Sequence, residues 1–516
     1  MSQIEDPMEP SEIIVPDEPK KKWSGLSHIQ INKKEATSGF RWSLFYSIIN
    51  KFVLPLLNNA VVLRVLGPTV AGAYTICYSF FTASDTFRDF GLSQTYMREK
   101  DLSPKREAAF MVLGILQGLI PGAILFALRD RIAEFYHDPL IGQFMIWVSL
   151  GLLVNGFFTI PRAKILRAGR IRESGAREMI ANVLSVTLSI WMLFHGYRNA
   201  FCLVFPLFVN CLLNVVISYS LAPVVHFRSD LATMWKTTRS AMSTMGASAL
   251  YNIFVSSDKL VIGRFAGNAA SGLYSQGQGL AQKPMQLLSV PMMAPLQSAF
   301  SQNSKNPEKI GSIYGRALAA ALLFIVPLYA IMVVAAYPAT IAILGHKWKG
   351  SIPLVQICCV FFATRTIGTI GGTALVAGGR ARFAMTSWVF AYAAAIIGCV
   401  LAAQVHTGTE QQTMAFAWAF SVGAIVVYSV HTIFAFKWFP PNQEAKRKLR
   451  SACLATVLSL LVFAGIYFLP VNPWVALAIS CVVGPIAHFA IVGWVFERKP
   501  LAHLSISGIR KLYRAL

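Results

Sequence analysis

Eight charged side chains fall within stretches that are otherwise apolar: Lys51, Asp85, Arg88, Asp89, Asp258, Lys259, Lys283 and Arg365. A charge at the centre of a membrane helix costs roughly 2.5–3.5 kcal/mol on insertion scales, so it usually faces a partner or a wet cavity. Asp85, Arg88 and Asp89 are spaced i, i+3 and i+4 and can neutralise one another on one helix face. For that trio an ion-pair clamp between helices stands as the structural alternative to a binding role. Asp258 and Lys259 are adjacent and point about 100° apart on a helix, so they need not pair with each other. Lys51, Lys283 and Arg365 have no acid within helical reach. Snorkelling to an interface suits Lys51 but fits Lys283 and Arg365 poorly, because both stand near the middle of their apolar runs.

The neighbours of these charges extend the pattern. Gln276, Gln282, Lys283 and Gln286 make one run unusually polar, and Arg365, Thr369 and Thr373 form an i, i+4, i+8 stripe. Asn252, Ser256 and Lys259 form a third face, and Lys51 with Asn58 a fourth. The reading is a water-filled cavity of net positive charge. Its candidate substrate-binding residues are Arg88, Lys259, Lys283, Arg365, Lys51, Asp258, Asn58, Asn252 and Gln286. Such a lining suits an anionic cargo, of which a diphosphate is the plainest example, held by lysine point charges and guanidinium forks. It does not suit a small organic cation, which calls for acids and aromatics. No cofactor or metal is expected. The eight cysteines all fall in apolar runs without ligand spacing, and GHKWKG at 345 lacks the Walker spacing and its strand context.

The elements that must position these residues follow from composition. The 516 residues are 55% hydrophobic and 13% charged, with a mean hydropathy of +0.54. Soluble domains carry about 25% charge, so a large soluble enzyme is excluded. Apolar runs near membrane-spanning length recur from residue 42 onward. They predict an all-α polytopic membrane protein with fourteen spans: 42–66, 71–97, 107–128, 141–160, 178–195, 200–224, 241–263, 272–300, 313–338, 350–376, 383–404, 412–436, 451–470 and 473–496. With the N-terminus inside, 34 of the 46 Lys and Arg residues fall on one set of connections and seven on the other. That is the positive-inside pattern, with both termini cytoplasmic. The net charge of +23 is therefore a topology signal and an attraction to anionic lipid, not a nucleic-acid footprint.

RVLGPTVAGAY at Arg64 and RFAGNAASGLY at Arg264 share an arginine, two glycines and a tyrosine at a constant offset of 200 residues. Both follow an odd-numbered span, six spans apart, so the halves point the same way, as in a parallel repeat about an axis along the membrane normal. Two pseudo-twofold-related six-helix lobes are expected over 41–228 and 229–440, with two extra helices over 441–497. The tails at 1–40, acidic then basic, and 498–516, basic, complete the organisation.

WSLFYSIINKFVLPLLNNAVVLRVLGPTVAGAY with FRDFGLSQTYMRE (87–99) resembles the opening of the bacterial polysaccharide-export flippases. These belong to the multidrug/oligosaccharidyl-lipid/polysaccharide exporter superfamily. NIFVSSDKLVIGRFAGNAASGLYSQGQGLAQKP (252–284) is similar to that family's seventh and eighth helices, and LGHKWKGSIPLVQI (344–357) to the connection into its tenth. The resemblance covers roughly 40–496. It implies twelve or fourteen helices in two lobes around a V-shaped cavity. It further implies transport of a polyprenyl-diphosphate-linked oligosaccharide from the cytoplasmic to the outer leaflet of the inner membrane, for exopolysaccharide, capsule or O-antigen assembly. Carried over by position, Arg88, Asp258, Lys259, Lys283 and Arg365 would be lumen residues, and the sugar would meet Asn, Gln and Tyr side chains. Membrane lipids, a polysaccharide polymerase and export machinery are the implied partners. The sequence departs from the superfamily's cation-coupled drug exporters, because Lys51 and Asn58 stand where an acid of the first helix would be. A cation-coupled exporter of drugs or small metabolites remains the alternative. A membrane-embedded glycosyltransferase would carry a large outer loop with clustered carboxylates, and the outer loops here are short.

Overall fold

The computed structural model describes Trp42, Phe45, Tyr46 and residues 48–89, 91–99, 102–224, 229–405 and 408–497. The expected tails, and with them the placing of both termini, lie outside these residues. Every regular element among the described residues is helical. In chain order they are α1 (Ile49–Leu66), α2 (Pro68–Asp89), α3 (Leu92–Arg98), α4 (Pro104–Tyr136), α5 (Pro139–Gly156), α6 (Thr159–Arg167), α7 (Ile171–Phe194) and α8 (Phe201–Leu221). Then come α9 (Leu231–Ala281), α10 (Lys283–Gln302), α11 (Pro307–Val334), α12 (Ala336–Ile343) and α13 (Ser351–Ala377). The last four are α14 (Ala381–Ala403), α15 (Thr409–Trp438), α16 (Gln443–Tyr467) and α17 (Pro473–Phe496). Eleven of these, all but α2, α3, α6, α9, α10 and α12, are long and apolar enough to cross a membrane.

Helix starts follow from local chemistry. Ser103, Asp138 and Asn306 each accept a backbone N–H with the side chain, and each is followed by a proline at the first helical position. The cap satisfies an orphan donor, and proline contributes a preset φ where its missing N–H is harmless. The lipid-facing surface is apolar. On α14, Ile396, Ile397, Val400 and Leu401 are all exposed, while Ala391 and Ala395 face inward. Cys453 and Cys481, which the sequence places in apolar runs, are exposed on α16 and α17.

Two predicted spans break where the sequence carries a backbone signal. The span over 71–97 ends at Asp89 and resumes as α3 after Gly91, whose φ of 76° lies in the left-handed region. The span over 272–300 breaks between Ala281 and Lys283, with Pro284 in the first turn of α10. Proline there has no N–H to continue the preceding ladder. Helix α1 is wound as π-helix on both sides of Pro55, over Ile49–Val53 and Asn59–Leu63. Such local unwinding re-aims side chains and is common at functional positions.

The repeated motif recurs in conformation. Gly67 has φ 83° and ψ 175°, and Gly267 has φ 88° and ψ 171°. Each lets one helix end and the next begin at an angle, Gly267 bending α9 in its middle. The two copies then pack on each other reciprocally. A Cβ on Gly72 would lie 1.7 Å from the Asn268 carbonyl oxygen, and one on Gly272 would lie 2.2 Å from that of Pro68. Residue 72 meets 268 and residue 272 meets 68, so the same pair of positions touches twice with the partners exchanged.

Candidate functional site

A cavity of about 440 Å³ opens beside this crossing, bounded by α1, α2, α7, α8 and the segments of α9 and α10 that follow the bend. Its polar lining comprises Asn50, Asn58 and Asn59 from α1, Thr75, Tyr74 and Tyr78 from α2, Asn182, Ser185 and Ser189 from α7, and Asn210 from α8. Ser275, Gln276 and Lys283 come from the second repeat. Among the described lining residues Lys283 is the sole charged side chain, and none carries a carboxylate. The Lys283 ammonium donates to the Lys51 carbonyl at 3.0 Å, which ties α10 to the first π-turn of α1. Tyr74 and Tyr78 stack with ring centroids 5.6 Å apart.

Pro206 shapes the wall between α7 and α8. It has no N–H to give the Cys202 carbonyl, and the Ser189 hydroxyl donates to that carbonyl instead, at 2.6 Å. The Ser185 hydroxyl donates to the Pro206 carbonyl at 2.7 Å. These bonds fix α7 against α8 at the level of the cavity and satisfy a backbone group that proline would leave bare.

The charges of the second repeat are placed differently from expectation. Asp258 is buried and pairs directly with Lys259, the ammonium at 3.1 Å. Helix bond angles separate adjacent side chains, but the lysine stem is long enough to fold back. The Asp258 carboxylate also accepts from the Lys259 backbone N–H at 2.6 Å, the Tyr274 hydroxyl at 3.0 Å and the Gln278 amide at 2.8 Å. Asp258 precedes the bend at Gly267 while Tyr274 and Gln278 follow it, so the carboxylate clamps the two limbs of α9. The repeat equivalents of these three are Asn58, Tyr74 and Tyr78, all of which line the cavity. The same position is therefore filled by an internal clamp in the second half and left open in the first.

Among the remaining candidates, Asn58 and Lys283 line the cavity, and Lys51 is exposed beside it. Gln286 is half-buried on α10, and among the described residues its Oε1 has no hydrogen-bond partner. Arg365 is half-buried on α13, its guanidinium 5.8 Å from the Phe362 ring, and it is not among the described lining residues of this cavity. Thr369 and Thr373 donate to the carbonyls of Arg365 and Thr369, so their protons go to the helix backbone and not to a lumen. Asp85 accepts from the Asn155 amide at 2.8 Å, a partner on α5 outside the expected trio. The side chains of Arg88, Asp89 and Asn252 lie outside the described residues.

Sequence reasoning passed over Asn182, Asn210, Asn214 and Arg177. Arg177 counts by sequence among the bases of an inner connection, yet it lies within α7 and is 1% exposed. The available signals were neutral: Asn182, Ser185 and Ser189 at i, i+3 and i+7, and Asn210, Asn214 and Ser218 at i, i+4 and i+8.

The end of the bundle that carries Arg64 and Arg264 is tied shut by bonds in two matched sets. The Asn268 amide donates to Asp138 at 2.7 Å, Arg264 meets the His137 ring at 3.3 Å, and the Tyr136 hydroxyl donates to the Leu260 carbonyl at 3.2 Å. On the other side Arg64 donates to the Ala342 carbonyl at 3.4 Å. Lys347 donates to that of Val65 at 3.3 Å, and the Trp348 indole to that of Leu63 at 3.2 Å.

A family model described as polysaccharide biosynthesis protein matches residues 61–353, a range that holds most of the cavity wall. The lipopolysaccharide biosynthesis protein WzxC of Escherichia coli (strain K12) is 22% identical over 409 residues, 78% of this chain and 80% of that protein. The amylovoran biosynthesis protein AmsL of Erwinia amylovora is 20% identical over 294 residues, 56% of this chain and 75% of that protein. Among solved structures, the lipid II flippase MurJ in an inward closed conformation superposes with a TM-score of 0.70 at 14% identity, covering 89% of this chain and 98% of that one. That likeness is one of fold.

Proposed function

Since the chain belongs to the polysaccharide biosynthesis protein family, we propose that it carries a polyprenyl-diphosphate-linked oligosaccharide repeat unit from the cytoplasmic to the outer leaflet by alternating access. The observation that carries this reading is the cavity: polar, without a described carboxylate, and bounded by helices of both repeats. Lys283 takes the diphosphate, the amides and tyrosines take the sugar, and the lipid tail stays in the bilayer. A cation-coupled exporter would need an acid on this lining, and Asp258 is already engaged by three partner residues. Arg88 and Asn252 stay candidates on sequence grounds, while Lys51, Lys259, Arg365 and Gln286 would join the lumen through rearrangement of their helices.

The architecture that goes with this function has fourteen spans, two six-helix lobes over 41–228 and 229–440, and an added pair over 441–497. The reciprocal crossing at Gly72 and Gly272 supports the pseudo-twofold relation. With both tails cytoplasmic, the tied end faces outward, and the bundle is in a state closed to the outside. Membrane lipids surround it, and the polymerase and export machinery take its product. A deletion strain assayed for lipid-linked repeat units on each leaflet tests the function. Accumulation on the cytoplasmic leaflet is expected; accumulation on the outer leaflet alone would rule the assignment out.

A further inference from the structure

A line of hydrogen bonds runs from the interior of the first repeat into the cavity wall. The Arg177 guanidinium donates through Nη1 to the Asn214 Oδ1 at 2.9 Å. The Asn214 Nδ2 donates to the Asn210 Oδ1 at 2.9 Å, and to the Asn210 carbonyl at the same distance. The Asn210 Nδ2 donates to the Asn182 Oδ1 at 2.8 Å. Asn182 and Asn210 line the cavity; Arg177 and Asn214 are buried behind them.

The direction of this line is set by its buried end. A guanidinium has five donors and no acceptor, so the amide facing it must present oxygen. That puts the Asn214 nitrogen towards Asn210, which must then accept, and the same constraint passes on to Asn182. With its oxygen turned to Asn210, Asn182 directs its two N–H donors away from that bond, towards the cavity. Arg177 lies 4.5 Å from the Phe158 ring, and among the described residues no carboxylate forms an ion pair with it and its Nε has no hydrogen-bond partner. It thus has no direct ion-pair partner there, the carboxylate of its chain neighbour Glu178 acting on it only at a distance, and it polarises the amides it aligns, since bonds in such a chain strengthen one another in a low-dielectric interior.

We propose that Arg177 is a positioning residue that turns this amide line into a fixed donor for an uncharged saccharide ring in the cavity. The wall around Asn182 suits that occupant and not a phosphate. It holds amides, serine hydroxyls and the stacked Tyr74 and Tyr78, with Lys283 as the single described charge on the whole lining. Aromatic faces carry negative potential that meets the positive C–H edges of a sugar, while phosphate is held by forks and point charges. The cavity volume lies within the roughly 300–1,000 Å³ of small-molecule sites, enough for roughly one or two rings. The identity of the ligand rests on the transport reading above. The direction of the donor rests on the hydrogen-bond order alone.

The test uses the full-length protein in lipid nanodiscs and three probes: a polyprenyl diphosphate, the same lipid bearing an N-acetylhexosamine, and a soluble N-acetylhexosamine disaccharide. Binding is read by native mass spectrometry and folding by thermal melting. Arg177→Met is expected to weaken both sugar-bearing probes by about threefold to tenfold, the range of one hydrogen bond, and to leave the sugar-free lipid unchanged. Asn182→Ala should do the same, and the double variant should lose no more than either alone, as members of one unit do.

Asn214→Asp separates direction from mere support. Aspartate still takes Arg177, now as an ion pair, but its second oxygen forces Asn210 and Asn182 to reverse and present acceptors. Sugar binding should fall in that variant while the ion pair with Arg177 offsets the lost bond to the Asn210 carbonyl and the protein still melts as a folded one. Equal losses for all three probes in Arg177→Met, additive losses in the double variant, or unchanged sugar binding in Asn214→Asp would each overturn the inference. If the unsubstituted protein binds the lipid diphosphates without preferring the sugar, this inference fails and the transport reading stands. If it binds none of the three probes, both fail.

Discussion

Replacing Gly72 by alanine tests whether the crossing of α2 and α9 holds the bundle in the proposed outward-closed state. The new Cβ would sit 1.7 Å from the Asn268 carbonyl oxygen and 2.4 Å from its carbon, against the 3.4 Å at which ordinary contact begins. Both obstructing atoms are backbone, so no rotamer change relieves them, and α2 must move from α9 by more than 1 Å. Overpacking of this kind costs about 1–3 kcal/mol. That penalty applies to the state in which the helices touch and vanishes once they part. A shift of about 2 kcal/mol between the two states changes their ratio by roughly thirtyfold. The assay is labelling of Asn59→Cys, on the cavity wall, by a membrane-impermeant maleimide added outside intact cells, with the eight native cysteines removed. Gly72→Ala should accelerate labelling by at least tenfold, and Gly272→Ala, whose Cβ meets the Pro68 carbonyl at 2.2 Å, should do likewise. Unchanged labelling in both, with normal expression, would refute the claim that this crossing seals the outer end.

Asp138→Ala removes the acceptor for Asn268 and should open the same end more weakly, by about threefold in the labelling assay, in keeping with one hydrogen bond. Asp258→Asn leaves the largely buried Lys259 ammonium without its carboxylate and should destabilise the protein by about 3 kcal/mol, read as a fall in melting temperature. Restoring a neutral pair with Asp258→Asn and Lys259→Met should recover part of that loss. Lys283→Gln removes the single described charge on the cavity lining and should lower affinity for a polyprenyl diphosphate about tenfold, as for a charged hydrogen bond. Normal export from Lys283→Gln combined with Arg365→Gln would remove both residues from the site.

The all-helical, many-span character was legible because twenty apolar residues in a row have few other physical meanings, whereas the predicted spans 241–263 and 272–300 share one bent helix over Leu231–Ala281 before the break. The motif at Arg64 and its echo at Arg264 were legible too, and their conformations agree at Gly67 and Gly267. The breaks at Gly91 and Pro284 required knowing which glycine or proline would act, since both residues are common in membrane helices. The cavity wall was harder to see. Charge stands out against an apolar background, so attention fell on Lys259 and Arg365, whereas Asn182, Asn210 and Asn214 are neutral and look like ordinary helix–helix contacts. Asp258 misled for a physical reason: its partners Tyr274 and Gln278 are brought to it only by the bend at Gly267. Arg177 counted by sequence among the bases of an inner connection and yet turns inward, because a hydrogen-bonding partner set on α8 receives it.

The most direct test of the transport claim is a flipping assay with the purified protein in sealed liposomes. A polyprenyl diphosphate carrying a sugar with a reducible fluorophore is placed in both leaflets, and dithionite is added outside. The account predicts that protein-free vesicles lose only the outer half of the signal and that the protein drives the loss towards completion, with Lys283→Gln slowing it. Protein-containing vesicles that keep the inner half protected would contradict it.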